Sequence, residues 1–154
     1  MSAARGRANQ SLYLAHILLD AWRDGLEHES IPASVLQQAF LPAATLHLAQ
    51  AYGWFLLTVV KAEPLPVAPP GCVAELPAVP EGKALPGEIR ELAQLETDGW
   101  LADMLAPQTV TAGAARGGNL AMTALQGASL EQARGWHDQL GAIFERMGDS
   151  LDEF

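Results

Sequence analysis

Between Ser30 and Val60 the chain carries no Asp, Glu, Lys or Arg, and Lys61 ends a run of thirty-one uncharged residues. Inside it, Leu36, Phe40, Ala43, His47, Gln50, Trp54 and Leu57 follow one another by fours and threes, the spacing of one helix face. A second series, Val35, Ala39, Pro42, Leu46, Ala49, Gly53, Leu56 and Val60, runs beside it and is nearly as apolar. A helix that is apolar over so wide an arc has to be buried on most sides. The run therefore predicts a central helix with other helices packed around it. A membrane span is the rival reading, because about twenty apolar residues cross a bilayer as helix. Gln37, Gln38, Thr45, His47, Gln50 and Thr58 each want a polar partner, Pro42 interrupts the run, and its flanks show no strong positive bias, so a soluble core helix is the better fit.

The remaining elements follow from shorter patterns. Residues 1–8 read as an unstructured leader and 9–154 as a single helical domain. The first helix is expected over 9–27, with Asn9 or Ser11 as cap and Leu12, Ala15, Leu19, Trp22 and Leu26 as its apolar stripe. Ser30 is a candidate cap for the central helix, placed at 32–61, with Pro42 expected to bend it. Ala49 and Gly53 are small enough to let another helix come close. Seven of the ten prolines lie from Pro64 to Pro86, which makes 63–85 a semi-rigid extended strap. A third helix is expected over 86–105 with a break near Asp98, and a fourth over 129–150. Ser129 and Gln132 form a capping box there, and the acidic end of that helix is expected to fray. The stretch from Thr109 to Gly127 reads as an irregular crossing. The fold class is all-α: a four-helix, bundle-like single domain with a Pro-rich connector between helices two and three.

Composition narrows the function. A net charge of −9 and a pI near 4.7 argue against nucleic-acid binding, whose footprint is a basic patch. One cysteine, Cys72, excludes an internal disulfide and fits a reducing compartment, so a cytoplasmic location is expected. The segment after Arg5 and Arg7 is broken by His16 and Asp20 and makes a poor export signal.

Candidate chemistry rests on histidines. His47 and His137 fall on apolar stripes and His16 lies beside one. Bundles build di-iron sites from Glu-x-x-His, but the residues three before these histidines are Ala44, Arg134 and Tyr13, and no metal or cofactor is expected. Histidines satisfied by Gln50, Tyr52 or a backbone carbonyl are the preferred reading. A ligand pocket lined by His47, Gln50, Trp54 and His137 is the alternative. Arg23 and His28 match the arginine–histidine signature of helical nucleotide-binding ribonucleases, at an unusual place and in an acidic chain. The glycine-rich 113–118 follows no strand and precedes no Gly-Lys-Ser/Thr, so it is a poor phosphate cradle. Trp22, Trp54, Trp100 and Trp136 read as core anchors.

Asn9-Gln-Ser-Leu-Tyr13, the Phe40-to-Phe55 helix, Trp100-Leu-Ala-Asp-Met-Leu105 and Arg134-Gly-Trp-His137 together resemble a family of small bacterial all-helical proteins with a domain of unknown function. The likeness spans the chain outside the Pro-rich strap. It implies a helical domain of bacterial origin and transfers no catalytic residue. The function expected is that of a non-enzymatic helical protein acting through protein contacts, with a homo-oligomer as one form. Neither nucleic acid nor membrane is an expected partner.

Overall fold

The computed structural model describes residues 2–77, 85–108 and 127–152. The expectations for 109–126 and for the end of the strap at 78–84 lie outside them. The described residues form five α-helices and no strand: α1 (Ala3–His28), α2 (Ala33–Val59), α3 (Gly87–Asp98), α4 (Trp100–Leu105) and α5 (Leu130–Asp152). The fold is all-α. No helix among the described residues is long and apolar enough to cross a membrane.

An unstructured leader over residues 1–8 is corrected, because α1 begins at Ala3. The Ser2 hydroxyl caps it by accepting from the Arg5 N–H at 3.1 Å, so the cap is neither Asn9 nor Ser11. Ala4 and Ala8 are buried, which is why this stretch is drawn into the helix rather than left in water. At the start of α2, Ser30 does not cap. Pro32 occupies that position, and its carbonyl receives the N–H groups of Val35 and Leu36. At α5 the Ser129 hydroxyl accepts from the Gln132 N–H at 3.1 Å, and the helix continues to Asp152, two residues beyond the end expected at 150. Gly99 separates α3 from α4 with an extended backbone.

Contacts at known positions set the directions. Gly25 lies against Leu36, the Trp22 and Phe40 rings stack at 6.4 Å, and Arg7 sits over Trp54. These pairs run in opposite order along the two helices, so α1 and α2 are antiparallel. Gln37 donates to the Ala128 carbonyl just before α5, and Phe55 stacks on Phe144 with centroids 4.3 Å apart. Those pairs advance together, so α5 runs parallel to α2. Glu91 pairs with Arg146 on α5 and Glu96 with Tyr52 on α2, which makes α3 antiparallel to both.

One core takes residues from every helix, and α2 is its axis. From Ala51 to Val59 each residue of α2 is buried, with Tyr52, Phe55, Leu56 and Leu57 fully so. Each such large side chain contributes roughly 1.5–3 kcal/mol on leaving water, and the Phe55–Phe144 stack adds about 0.5–1.5 kcal/mol beyond area. Pro42 lies within a helix that continues through it. Its ring nitrogen has no hydrogen to give the Gln38 carbonyl, and a turn further on the Thr45 hydroxyl donates to the Leu41 carbonyl at 2.9 Å and the Pro42 carbonyl at 3.1 Å.

The strap explains the glycine in α2. The space beside Gly53 is taken by Pro69 and the Pro70 carbonyl, where a Cβ would come within 2.8 Å of the Pro69 side chain. A helix was expected against this small-residue stretch, but the chain's own proline segment occupies the site. A polar node fixes the strap further along: Glu96 of α3 accepts from both the Tyr52 hydroxyl and, at 3.0 Å, the Val73 N–H.

Gly53→Ala should therefore destabilise the protein by about 1–3 kcal/mol, because the added carbon meets backbone that cannot rotate away. Gly135→Ala, in α5 with nothing within 4 Å of the new carbon, should stabilise by about 0.5–1 kcal/mol. Urea unfolding of the two variants checks both, and equal effects of the same sign would refute the packing assigned to the strap.

Candidate functional site

Of the four residues expected to line a pocket, His47, Gln50 and Trp54 stand on successive turns of α2 and His137 on α5. Trp54 is 8% exposed and its ring carries the Arg7 guanidinium 4.7 Å from its centroid, a cation–π contact between α1 and α2. Gln50 is half-buried. The Nδ1 of His47 is buried without a hydrogen-bond partner, and the partner expected for it in Tyr52 is engaged by Glu96. His137 sits on α5 with its ring 5.5 Å from that of His16 on α1. Among the described residues no hydrogen bond, ion pair or ring contact joins any two of the four. A cavity of about 450 Å³ lies elsewhere, between the start of α1 and the end of α2, where Arg5, Leu57, Lys61 and Glu63 are among its lining residues.

Among the described residues a dense polar cluster lies at the α1–α5 seam around His16, which in the sequence is only a histidine beside a stripe. Asp20 follows one turn later on the same face, and its carboxylate lies 3.2 Å from His16 Nε2. Arg134 crosses from α5 to give 2.6 Å to Asp20 Oδ1 and 3.2 Å to His16 Nδ1. A guanidinium only donates, so His16 receives that bond on Nδ1, with Nε2 turned to the Asp20 carboxylate. Both ring nitrogens then face groups of the seam. The hydrogen bond from Arg134 holds the Asp20 carboxyl below its usual range, aided by the positive charges of Arg134 and Arg23 and by His16, with partial burial opposing. His137 Nδ1 lies 3.0 Å from Asp138 at the edge of the cluster. Among the described residues no group of three or more His, Cys, Asp or Glu is placed to hold a metal. Chemically, the cluster is a clasp whose charges are spent on one another.

The other sequence candidates are surface groups. Arg23 lies 3.6 Å from Asp20 and 3.5 Å from Asp24, and His28 is the exposed last residue of α1. The glycine-rich 113–118 falls outside the described residues. Buried Tyr52 is held protonated well above the usual phenol range by burial and by its bond to Glu96.

The feature left over is apolar. The second series on α2 was expected to be buried, and only part of it is. Gly53 and Leu56 are buried, while Ala49 and Val60 are half-buried. Val35 is 47% and Leu46 55% exposed, with Ala39 and Pro42 exposed between them. The expectation that this face is buried throughout is corrected for its first half. The reason is coverage: the strap reaches Gly53, while the opening turns of α2 receive α1 on one side and the start of α5 on another. No periodicity in the sequence separates the covered half from the bare one. Tyr13 and Ile17, one turn apart on α1, are a smaller exposed pair.

The fold and this surface define an all-helical protein with an uncharged apolar stripe along one helix. The chain belongs to the family of unknown function DUF6586, which matches residues 1–154. No curated protein and no solved structure matches it.

The Asp20 clasp has a definite acid limit. A carboxyl held low in the folded state stabilises fully above its unfolded value of 3.8, and the contribution disappears as pH falls through the lower folded value. Asp20→Asn should thus cost stability by a constant amount at neutral pH, and the gap from wild type should close as pH falls below 3.8. Denaturant titrations across pH 2–7 measure this, and a gap that persists at the acid end would refute the clasp.

Proposed function

We propose that this protein is non-enzymatic and acts through protein contacts, with the first half of α2 as its docking face. One observation carries the reading: Val35, Ala39, Pro42 and Leu46 form a bare apolar stripe within a thirty-one-residue stretch without charge. Contiguous exposed apolar surface on a soluble domain marks an interaction site more often than chance. The same stripe is sealed by the chain's own strap a few turns later, so the fold covers this face where it has material to do so. The polar cluster at the α1–α5 seam favours no reaction, because His16, Asp20 and Arg134 already satisfy one another. A cytoplasmic setting accords with the single, half-buried Cys72.

The test is a photoreactive benzoylphenylalanine in place of Leu46, with the same group in place of the exposed Gln139 on α5 as control. Irradiated in the cell, position 46 should give a protein adduct of discrete mass and position 139 should not. The absence of an adduct specific to position 46 would sink the proposal.

A further inference from the structure

Where the start of α1 meets the ends of α2 and α5, the protein holds a cavity of about 450 Å³. That volume is in the range of small-molecule sites, about 300–1,000 Å³. Its inner wall is aliphatic: Ala4 and Leu57 are buried there, with half-buried Leu65 of the strap and Leu151 of α5 beside them. No aromatic ring stands among the described residues that line it. Its rim is charged, with exposed Lys61 and Glu63 after α2 and half-buried Arg5 on α1. Two cations against one carboxyl leave one net positive charge, in a chain whose total is −9.

Other cations of the protein are committed to partners. Arg23, Arg134 and Arg146 each lie on a carboxylate, and Arg7 lies on the Trp54 ring. The Lys61 ammonium has no such partner among the described residues. Backbone groups around the cavity favour the same sign of ligand. At the end of α2 the Leu57 carbonyl takes the Ala62 N–H at 3.1 Å and the Thr58 carbonyl takes the Lys61 N–H at 3.2 Å, which leaves a cation little to bind. Ala3 and Ala4, in the first turn of α1, have N–H groups with no acceptor inside that helix.

We infer that this cavity binds an alkyl monocarboxylate, its carboxylate held at the rim by Lys61 and Arg5 and its chain laid against Leu57, Leu65 and Leu151. A single negative charge matches the rim, whereas a phosphate dianion would exceed it and would meet Glu63 as well. An aliphatic wall suits a saturated chain, each of whose buried methylenes adds to affinity. The cavity lies at the opposite end of α2 from the bare stripe, so this inference stands apart from the docking face.

Octanoate is the probe, titrated to about 5 mM into the isotope-labelled full chain at neutral pH and followed by amide chemical shifts. Shifts should move at Thr58, Lys61, Ala62 and Leu65 and stay still at Val35 and Leu46. From butanoate to octanoate, each added methylene should tighten binding by up to about fourfold. Octylammonium, with the same chain and the opposite charge, should bind at least about fivefold more weakly than octanoate. Lys61 has a φ of 53°, in the left-handed region that favours glycine, so Lys61→Gly should keep the fold while removing the charge. Its melting temperature should not fall below that of wild type, and octanoate should bind it at least about fivefold more weakly. Lys61→Arg, which restores the charge, should bind octanoate within about threefold of wild type. Silence at the cavity residues, equal binding of octylammonium and octanoate, or a Lys61→Gly protein that binds like wild type overturns the inference. Shifts centred on Val35 and Leu46 overturn it too, because they place the alkyl chain on the bare stripe.

Discussion

A helix with apolar side chains around most of its circumference cannot be half covered without consequence, and α2 sets that problem for the whole molecule. One packed neighbour shields one stripe of a helix, so sealing every side takes several neighbours. α1 takes one flank through Leu36, Phe40 and Trp54, α5 takes the inner face through Gln37 and Phe55, and α3 meets Tyr52. The outer face of the second half is closed by an irregular segment, the proline strap lying on Gly53. Prolines suit that task because an extended chain without a free N–H at each of them presents flat apolar surface and few unsatisfied donors.

Charged residues are kept at the seams between these covering elements. Asp20, His16 and Arg134 join α1 to α5, and Glu91 and Arg146 join α3 to α5. Glu96 collects the Tyr52 hydroxyl and the Val73 N–H, tying α3, α2 and the strap at one carboxylate. Exposed pairs of this kind add little net stability, but a donor only bonds where an acceptor has been brought, so they fix which faces meet. The same economy accounts for a cluster with two histidines, two aspartates and an arginine whose charged groups face one another across the α1–α5 seam.

Sequence patterns reached the helices well and the coverage poorly. The three-four spacing of Leu19, Trp22 and the residues of α5 marks faces that are indeed buried, and Gly99 sits beside the break expected at Asp98. Alanines at 4 and 8 carry no strong periodic signal, yet they have core to pack against once α2 extends beside them, so the helix begins before the first apolar stripe. His16 and Arg134 are 118 residues apart, so their bond could not be read from local spacing at all. His47, Gln50, Trp54 and His137 share apolar stripes, and a stripe shows that a side chain faces inward while leaving open which neighbour it meets.

What the chain's own order of residues determined is the kind of object it makes. A long uncharged amphiphile of helical period, proline-rich punctuation and a capping box at Ser129 dictate an all-helical protein built on α2, because periodicity and backbone chemistry act over a few residues. Which part of α2 is sealed and which is bare was decided only by the tertiary structure. Burial is a property of what lies across the gap, and the strap happens to reach Gly53 and not Leu46.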